Sequence, residues 1–278
     1  LTPVPDASGR ADDIALLLGA TRSAAALALD FFARGNVARW DKAPGNPVSA
    51  ADMAVDAQLK AELLGARPGY GWLSEETVDD PARLAAHRVW IVDPIDGTRD
   101  FIHGRTGWAV SVALIENGIA MIGALAAPAR GQLFVAVAGG GVTLNGQPLR
   151  VSARADMAGV RLPIDAATLT ARFWPEPWDA VAVEKPNSLA LRIGHVAEGV
   201  ADGFIEGRTI AEWDVAAAAL IVSEAGGTIT DRDGHALTFN RPSPAVHGLV
   251  AATPALHADL CRRLNGGIRA LAARRRAP

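Results

Sequence analysis

Cysteine is nearly absent: Cys261 is the one thiol in 278 residues. That excludes an intrachain disulfide framework and a cysteine-based zinc cluster, and it leaves Cys261 as a small buried hydrophobe. A dominant charge is missing too. Acids and bases nearly balance at a net charge of −3, so no global field calls for a nucleic-acid polymer. The Arg-rich end, Arg269 to Arg275, reads as the frayed basic last turn of a helix. No uninterrupted apolar run is long enough to cross a membrane, and the N-terminus lacks the layout of a signal peptide. A soluble cytoplasmic protein with no membrane partner is the expectation. The chain begins at Leu1 rather than Met, so a few preceding residues are expected. Internal repeats and long low-complexity linkers are also lacking.

What is present is a large apolar fraction, half of all residues, enough for one big α/β unit or two closely packed halves. Apolar residues at helical spacing predict a helix over 11–34, stopped by Gly35. The turn formers of 41–47 predict a loop. Ser49 then caps a second helix through about Leu64, with Asp52 in its first turn. Strands are predicted over 71–74, 89–92, 108–115, 119–126 and 133–138, with Asn117-Gly118 and Asn145-Gly146 as hairpin turns. The first half, 1–150, therefore reads as α+β with an antiparallel sheet that carries most of the candidate acids. In the second half, 151–278, strands are expected at 160–164, 203–205, 228–230 and 248–252. Helices are expected at 168–173, 186–199, 213–225 and 255–264, so a second layered sheet is anticipated.

The most informative stretch is Trp90-Ile91-Val92-Asp93-Pro94-Ile95-Asp96-Gly97-Thr98. A buried strand is expected to end at the Asp-Pro step, because Pro94 removes a backbone donor and biases Asp93 toward an extended conformation. Asp96-Gly97 then turns the chain. Two carboxylates three residues apart at a strand's end, with a carbonyl between them, can converge on one hard cation. A lone Asp-Gly would be an ordinary turn; the second acid, the Pro and the Thr at fixed offsets set this one apart. Further acids fall at Glu75-Glu76, at the end of an apolar strand, and at Asp214, which opens an Ala-rich helix and would also suit its dipole. So many carboxylates together would repel strongly without cations. The six histidines are scattered and read as structural or solvated.

These blocks, with Glu224-Ala225-Gly226-Gly227 after Trp213-Asp214, resemble the inositol monophosphatase family of Mg²⁺-dependent, lithium-sensitive phosphatases. The resemblance runs from about Asn46 to Ala252. It implies a layered α-β-α-β-α sandwich of the sugar-phosphatase type and a homodimer. It implies two or three Mg²⁺ ions held by Glu75, Asp93, the backbone carbonyl of Ile95, Asp96 and Asp214; oxygen-only ligands suit that ion. Glu75 and Thr98 would hold the attacking water, with Asp52 polarising the Thr98 hydroxyl. Gly97 and Thr98 would offer backbone N–H groups to phosphate. Val48-Ser49 stands where the family has Val-Thr, which keeps the hydroxyl, and Lys42 falls near the family's loop lysine.

The substrate expected is a small phosphate ester. Glu184-Lys185-Pro186-Asn187-Ser188-Leu189-Ala190-Leu191-Arg192 looks more like bacterial 3'(2'),5'-bisphosphate nucleotidases, which release phosphate from adenosine 3',5'-bisphosphate to leave AMP. Lys185 or Arg192 would then hold a second phosphate, with Ser188 and Glu206 as further contacts. Inositol 1-phosphate and histidinol phosphate are the alternative substrates. Trp174 and Trp178 are expected to fold onto the core rather than stack on a base.

Overall fold

The computed structural model describes residues 7–35, 37–43 and 46–276. In chain order the elements are α1 (Ala7–Arg34), β1 (Arg39–Ala43), β2 (Asn46–Ser49), α2 (Ala50–Ala66), β3 (Gly71–Ser74), β4 (Arg88–Asp96) and α3 (Thr98–Ile102). Then come β5 (Ala109–Glu116), β6 (Ile119–Ala127), β7 (Gln132–Val137), β8 (Gly141–Leu144), β9 (Gln147–Pro148), β10 (Val160–Leu162) and α4 (Ala166–Leu169). The chain closes with β11 (Ala180–Ala182), α5 (Leu189–Ala197), β12 (Gly203–Ala211), α6 (Ala216–Glu224), β13 (Thr228–Asp231), β14 (Ala245–Ala252) and α7 (Pro254–Arg276).

These elements stack in five layers. A seven-stranded sheet, β3-β4-β5-β6-β7-β8-β9, has α1 and α2 on one face and α5 and α6 on the other. A three-stranded sheet, β12-β14-β13, covers the far side of α5 and α6, and α7 closes that sheet. The α-β-α-β-α sandwich expected from the resemblance is present. Three apolar cores fill the spaces: Trp90, Trp108 and Leu59 under α1 and α2; Phe134, Leu125 and Ile193 in the middle; Val250, Leu256 and Leu260 beneath α7. The central strands β4 and β5 are covered on both faces, which is why 89–92 and, apart from Ser111, 109–115 are apolar without alternation.

Several elements depart from the sequence expectation. The loop at 41–47 contains a hairpin instead, β1 pairing antiparallel with β2 around Trp40↔Val48. The large sheet is mixed, because β3 runs parallel to β4. Near 168–173 only the short α4 forms, ending at Leu169. The helix at Trp213 starts later, at Ala216, which leaves Asp214 in the preceding turn. α1 is long and apolar enough, by length and hydropathy, to cross a membrane; here it packs on α2 and the large sheet. α7 does not stop at Leu264. It runs on through Gly266-Gly267 to Arg276, because those glycines are where Pro175 and Trp174 rest on it.

The strand β4 also outlasts Pro94. Pairing with β5 shifts register between Asp93, opposite Ser111, and Asp96, opposite Ala109. Pro94 is tolerated there because a bulge needs no ladder donor. In a regular strand, residues three apart point to opposite faces. The extra residue of the bulge cancels that alternation, since Ser111 and Ala109 share one face of β5, and so Asp93 and Asp96 come to the same side.

Candidate active site

At the end of the large sheet, Asp93 and Asp96 meet Asp214. One carboxylate oxygen from each lies within 4.8 Å of the others. They line a cavity of about 370 Å³ together with Glu75, Gly97 and Thr98. Glu75 stands at the end of β3, its N–H donating to the Val92 carbonyl at 3.3 Å, so the parallel β3–β4 pair sets it beside Asp93. Asp214 enters from the turn between β12 and α6, where its Oδ2 accepts the Ala211 N–H at 3.1 Å.

The carboxylates are held differently. Asp93 Oδ1 accepts the Ile95 N–H at 3.1 Å, whereas its Oδ2 is buried and has no donor. Asp96 is bonded three times at the start of α5: by the Ser188 hydroxyl at 2.6 Å and by the N–H groups of Leu189 at 3.0 Å and Ala190 at 2.7 Å. Burial pushes Asp93 well above its ordinary value, and the charges of Glu75, Asp96 and Asp214 push it further. Asp214 is pushed up to about 8, by burial first and then by Asp96 and Glu75. Asp96 is raised by burial against the pull of its three donors. A buried orphan oxygen, all-oxygen donors and mutual repulsion together fit a hard divalent cation such as Mg²⁺.

Across the cavity, Thr98 begins α3. Its Oγ1 lies 3.0 Å from Asp52 Oδ1 and 3.1 Å from the Ile95 carbonyl. Asp52 is fixed in turn by a capping box: Oδ2 accepts the Ser49 N–H at 2.9 Å and the Ser49 hydroxyl at 2.5 Å. Burial raises the Asp52 carboxyl, opposed by the bonds from Ser49 and Thr98. Gly97 has a φ of +94°, and a Cβ there would lie 2.7 Å from the Gly107 carbonyl and 2.8 Å from the Ser188 nitrogen. Only glycine fits that turn.

The outer contacts expected from the sequence divide. Ser188 does not reach the cavity. It is fully buried, and its hydroxyl both donates to Asp96 and accepts the Leu191 N–H at 3.0 Å, so it positions Asp96 rather than a substrate. Lys185 reaches the rim with its ammonium paired to Asp165. Glu206 is forked by Arg208, at 2.8 Å and 3.1 Å; burial raises its carboxyl, but the Arg208 bonds outweigh that and hold it below the usual range. Arg192 is buried, donating to the Pro186 and Asn187 carbonyls at 2.7 Å each. The side chain of Lys42 lies outside the described residues. Among the described residues, no histidine lines the cavity.

Sequence reasoning missed two supports. Asp56 accepts the hydroxyls of Ser74 and Thr77, which shapes the turn that carries Glu75. Its four-residue spacing from Asp52 on one helix was the available signal. Asp100 accepts the Asn187 N–H at 3.0 Å and Arg105 at 2.6 Å, tying α3 to the lead into α5.

The model of the inositol monophosphatase family matches residues 13–268. An inositol-1-monophosphatase of Mesorhizobium japonicum is 37% identical over 79% of this chain and 85% of its own. A histidinol-phosphatase of Chlorobaculum parvum is 31% identical over 92% of this chain and 98% of its own. Among solved structures, an IMPase of Thermotoga maritima superposes with a TM-score of 0.78 at 27% identity, covering 93% and 98% of the two chains. The extragenic suppressor protein SuhB of Bartonella henselae gives 0.77 at 29%, covering 91% and 98%. With the family model spanning most of its length and with relatives above 30% identity, the chain belongs to the inositol monophosphatase family, Mg²⁺-dependent enzymes that hydrolyse phosphoric monoesters.

Proposed function

We propose that this chain hydrolyses a small phosphate monoester with water held between Glu75 and Thr98. The observation that carries the reading is the convergence of Asp93, Asp96 and Asp214 opposite the Asp52–Thr98 pair in one cavity. Glu75, Asp93, the Ile95 carbonyl, Asp96 and Asp214 would hold two or three Mg²⁺ ions. Bound there, the ions supply charge neutralisation for the phosphate and a lowered pKa for a coordinated water.

The rest is the work of the chain's own groups. Asp52 accepts the Thr98 hydroxyl proton, which leaves Thr98 oxygen lone pairs to accept a hydrogen bond from water and so orient it. Glu75, at the end of β3, is the base that takes the proton the water loses. The N–H groups of Gly97 and Thr98 hold phosphate oxygens at the turn into α3. Ser188 and the start of α5 keep Asp96 in place.

For the substrate, the finer reading is a 3'(2'),5'-bisphosphate nucleotidase. Arg99, Arg192 and Arg208 are among the residues lining the same cavity, and the positive charge they bring there supports it, with Arg192 also bonded to the Pro186 and Asn187 carbonyls and Arg208 to Glu206. Lys185 joins them when phosphate replaces Asp165 as its partner. A second reading, inositol 1-phosphate or histidinol phosphate, is supported by the names of the relatives and by Glu206 near the rim. A homodimer belongs to either.

The test is a comparison of kcat/KM, by phosphate release with Mg²⁺, for adenosine 3',5'-bisphosphate, inositol 1-phosphate and histidinol phosphate. The bisphosphate is expected to lead, and Lys185→Met should raise KM for it alone. A preference for inositol 1-phosphate transfers the conclusion to the second reading; no release from any ester overturns both.

A further inference from the structure

Two buried charges take no part in the chemistry above. Arg83 is 3% exposed and Glu212 is fully buried, and neither is among the residues lining the acidic cavity. Each belongs to a segment that carries a carboxylate into it. Glu212 stands two residues before Asp214, in the turn between β12 and α6. Arg83 belongs to the short helical turn Pro81–Ala85, which lies so close to β3 that a Cβ on Gly71 would stand 3.0 Å from the Arg83 Cβ. The end of β3 leads into Glu75.

The two charges meet on one dipeptide, Asn240-Arg241. Arg83 donates from Nη1 to the Asn240 Oδ1 at 2.7 Å and from Nη2 to the Arg241 carbonyl at 3.0 Å. The Asn240 amide returns a bond to the Arg83 carbonyl at 3.2 Å. From the other side, the Glu212 carboxylate accepts the N–H groups of Asn240 at 2.6 Å and Arg241 at 3.2 Å, and the Arg241 Nε–H at 3.4 Å. Asn240 is held at a φ of +59°, a conformation that asparagine tolerates better than most residues. Each end of this clasp is fixed in its own segment. Asp79, four residues beyond Glu75, is forked by Arg83 at 2.6 Å and 2.9 Å. The Glu212 backbone donates to the Pro244 carbonyl at 3.1 Å and accepts the N–H groups of Val215 at 3.1 Å and Ala216 at 2.9 Å, which closes the turn around Asp214.

We propose that Arg83 and Glu212 are positioning residues that set the separation of Asp214 from Glu75 through Asn240-Arg241, and so tune the affinity of the acidic cavity for a divalent cation. The inference rests on the cation reading of that cavity. Asp214 sits in a turn rather than in a helix or strand, so the contacts of that turn decide where its carboxylate stands. The charges of Asp96 and Glu75 push against it, and without a brace the turn would yield outward. A brace that keeps the ligands near their binding geometry leaves less to be ordered when the cation arrives. Stability alone is a poor account of these bonds. Burying a guanidinium and a carboxylate costs desolvation that their attractions barely offset, and apolar side chains of the same volume would stabilise as well. What the bonds add is direction: one path of side chains from the loop that follows Glu75 to the turn that holds Asp214.

The experiment measures Mg²⁺ binding directly, by isothermal titration calorimetry on chelated protein, for wild type, Glu212→Gln, Arg83→Met and the double variant. Each is kept below its own unfolding midpoint, found by circular dichroism. Glu212→Gln preserves the shape of the side chain but turns a donor toward an N–H group. Its Kd for Mg²⁺ should rise about tenfold, as should that of Arg83→Met, the lower end of what a lost support to a metal ligand costs. Because both act through one clasp, the double variant should bind about as weakly as either alone. Activity should follow, with the half-maximal Mg²⁺ concentration raised and kcat recovered at saturation. The control is an ion pair outside the cavity: Arg161→Met, which strips a partner from the buried Asp202, should lower Tm and leave Kd unchanged. If Arg83→Met folds poorly, Glu212→Gln decides the matter. A wild-type Kd in Glu212→Gln with only Tm lowered overturns the positioning role, as does a Kd that rises equally in Arg161→Met. A loss of about a hundredfold in the double variant overturns the shared clasp. Wild type that binds no Mg²⁺ overturns instead the cation reading on which it rests.

Discussion

Thr98 has one hydroxyl proton and two acceptors within reach, Asp52 Oδ1 at 3.0 Å and the Ile95 carbonyl at 3.1 Å. Whichever accepts it, the lone pairs turn to the cavity, and removing the hydroxyl removes the group that orients water. Thr98→Ala should therefore lower kcat by about 10²- to 10³-fold with KM changed little, while Thr98→Ser recovers most of the rate. Equal losses in both variants would mean that the methyl group matters and the hydroxyl does not. Asp93 invites the opposite kind of substitution. Its Oδ2 has no donor and the carboxyl lies in the field of Glu75, Asp96, Asp214 and Asp52, so Asp93→Asn should abolish turnover yet raise the melting temperature of the chelated protein by a few degrees. The same crowding sets a pH dependence. Asp214 has its folded pKa raised from 3.8 to about 8, so the folded, metal-free chain holds a proton that the unfolded chain releases. Its contribution to stability is full below the unfolded value and is lost as pH rises through the folded one. Without metal, Tm should fall between about pH 5 and pH 8; with saturating Mg²⁺, which binds the ionised acids, that fall should shrink. A chelated protein that gains stability over this range would contradict the account. Asp93, Asp96 and Thr98 were legible in the sequence because they share one short motif. Asp56 and Asp100 were not, since their partners, Ser74 and Thr77 or the Asn187 N–H, become neighbours only when the chain folds back on itself.

Among the elements, helices and strands with strong local signals formed where the sequence put them. Ser49 and Asp52 close a capping box at the start of α2, and Asn117-Gly118 turns between β5 and β6 with both φ angles positive, as a type I′ hairpin requires. The misreadings occurred where a tertiary neighbour overrides a local signal. Pro94 marks a strand end by itself, but a bulge against β5 absorbs it and swings Asp96 to the side of Asp93. Gly266-Gly267 marks a helix end, but α7 continues because the aromatic loop packs onto those glycines. The two sites separate cleanly by experiment. Alanine at Gly266 would meet Pro175 at an ordinary 3.6 Å, so Gly266→Ala should raise stability by about 1 kcal/mol through helix propensity. Alanine at Gly267 would stand 2.4 Å from the Trp174 ring, so Gly267→Ala should lower Tm and loosen the loop. If both alanines stabilise alike, the Trp174 contact does not hold α7 in place.

On the scale of the whole molecule, the site exists because layers meet there. The large sheet supplies Glu75 and Asp93, its bulge supplies Asp96, the start of α5 anchors Asp96, and the turn between the small sheet and α6 brings in Asp214. None of these pieces alone forms a cation site. The carboxylates were readable one by one, but their closure on a common point depends on contacts between segments roughly a hundred residues apart, such as Ser188 with Asp96, which no local pattern announces. The central claim is that this closure makes a Mg²⁺-dependent phosphomonoesterase. Its most direct test is phosphate release from one ester by exhaustively chelated protein, titrated with MgCl₂, for wild type and Asp93→Asn in parallel. Wild type should be silent without metal and rise saturably with Mg²⁺, while Asp93→Asn stays silent throughout. Full activity in chelator, or an Asp93→Asn titration that matches wild type, would contradict it.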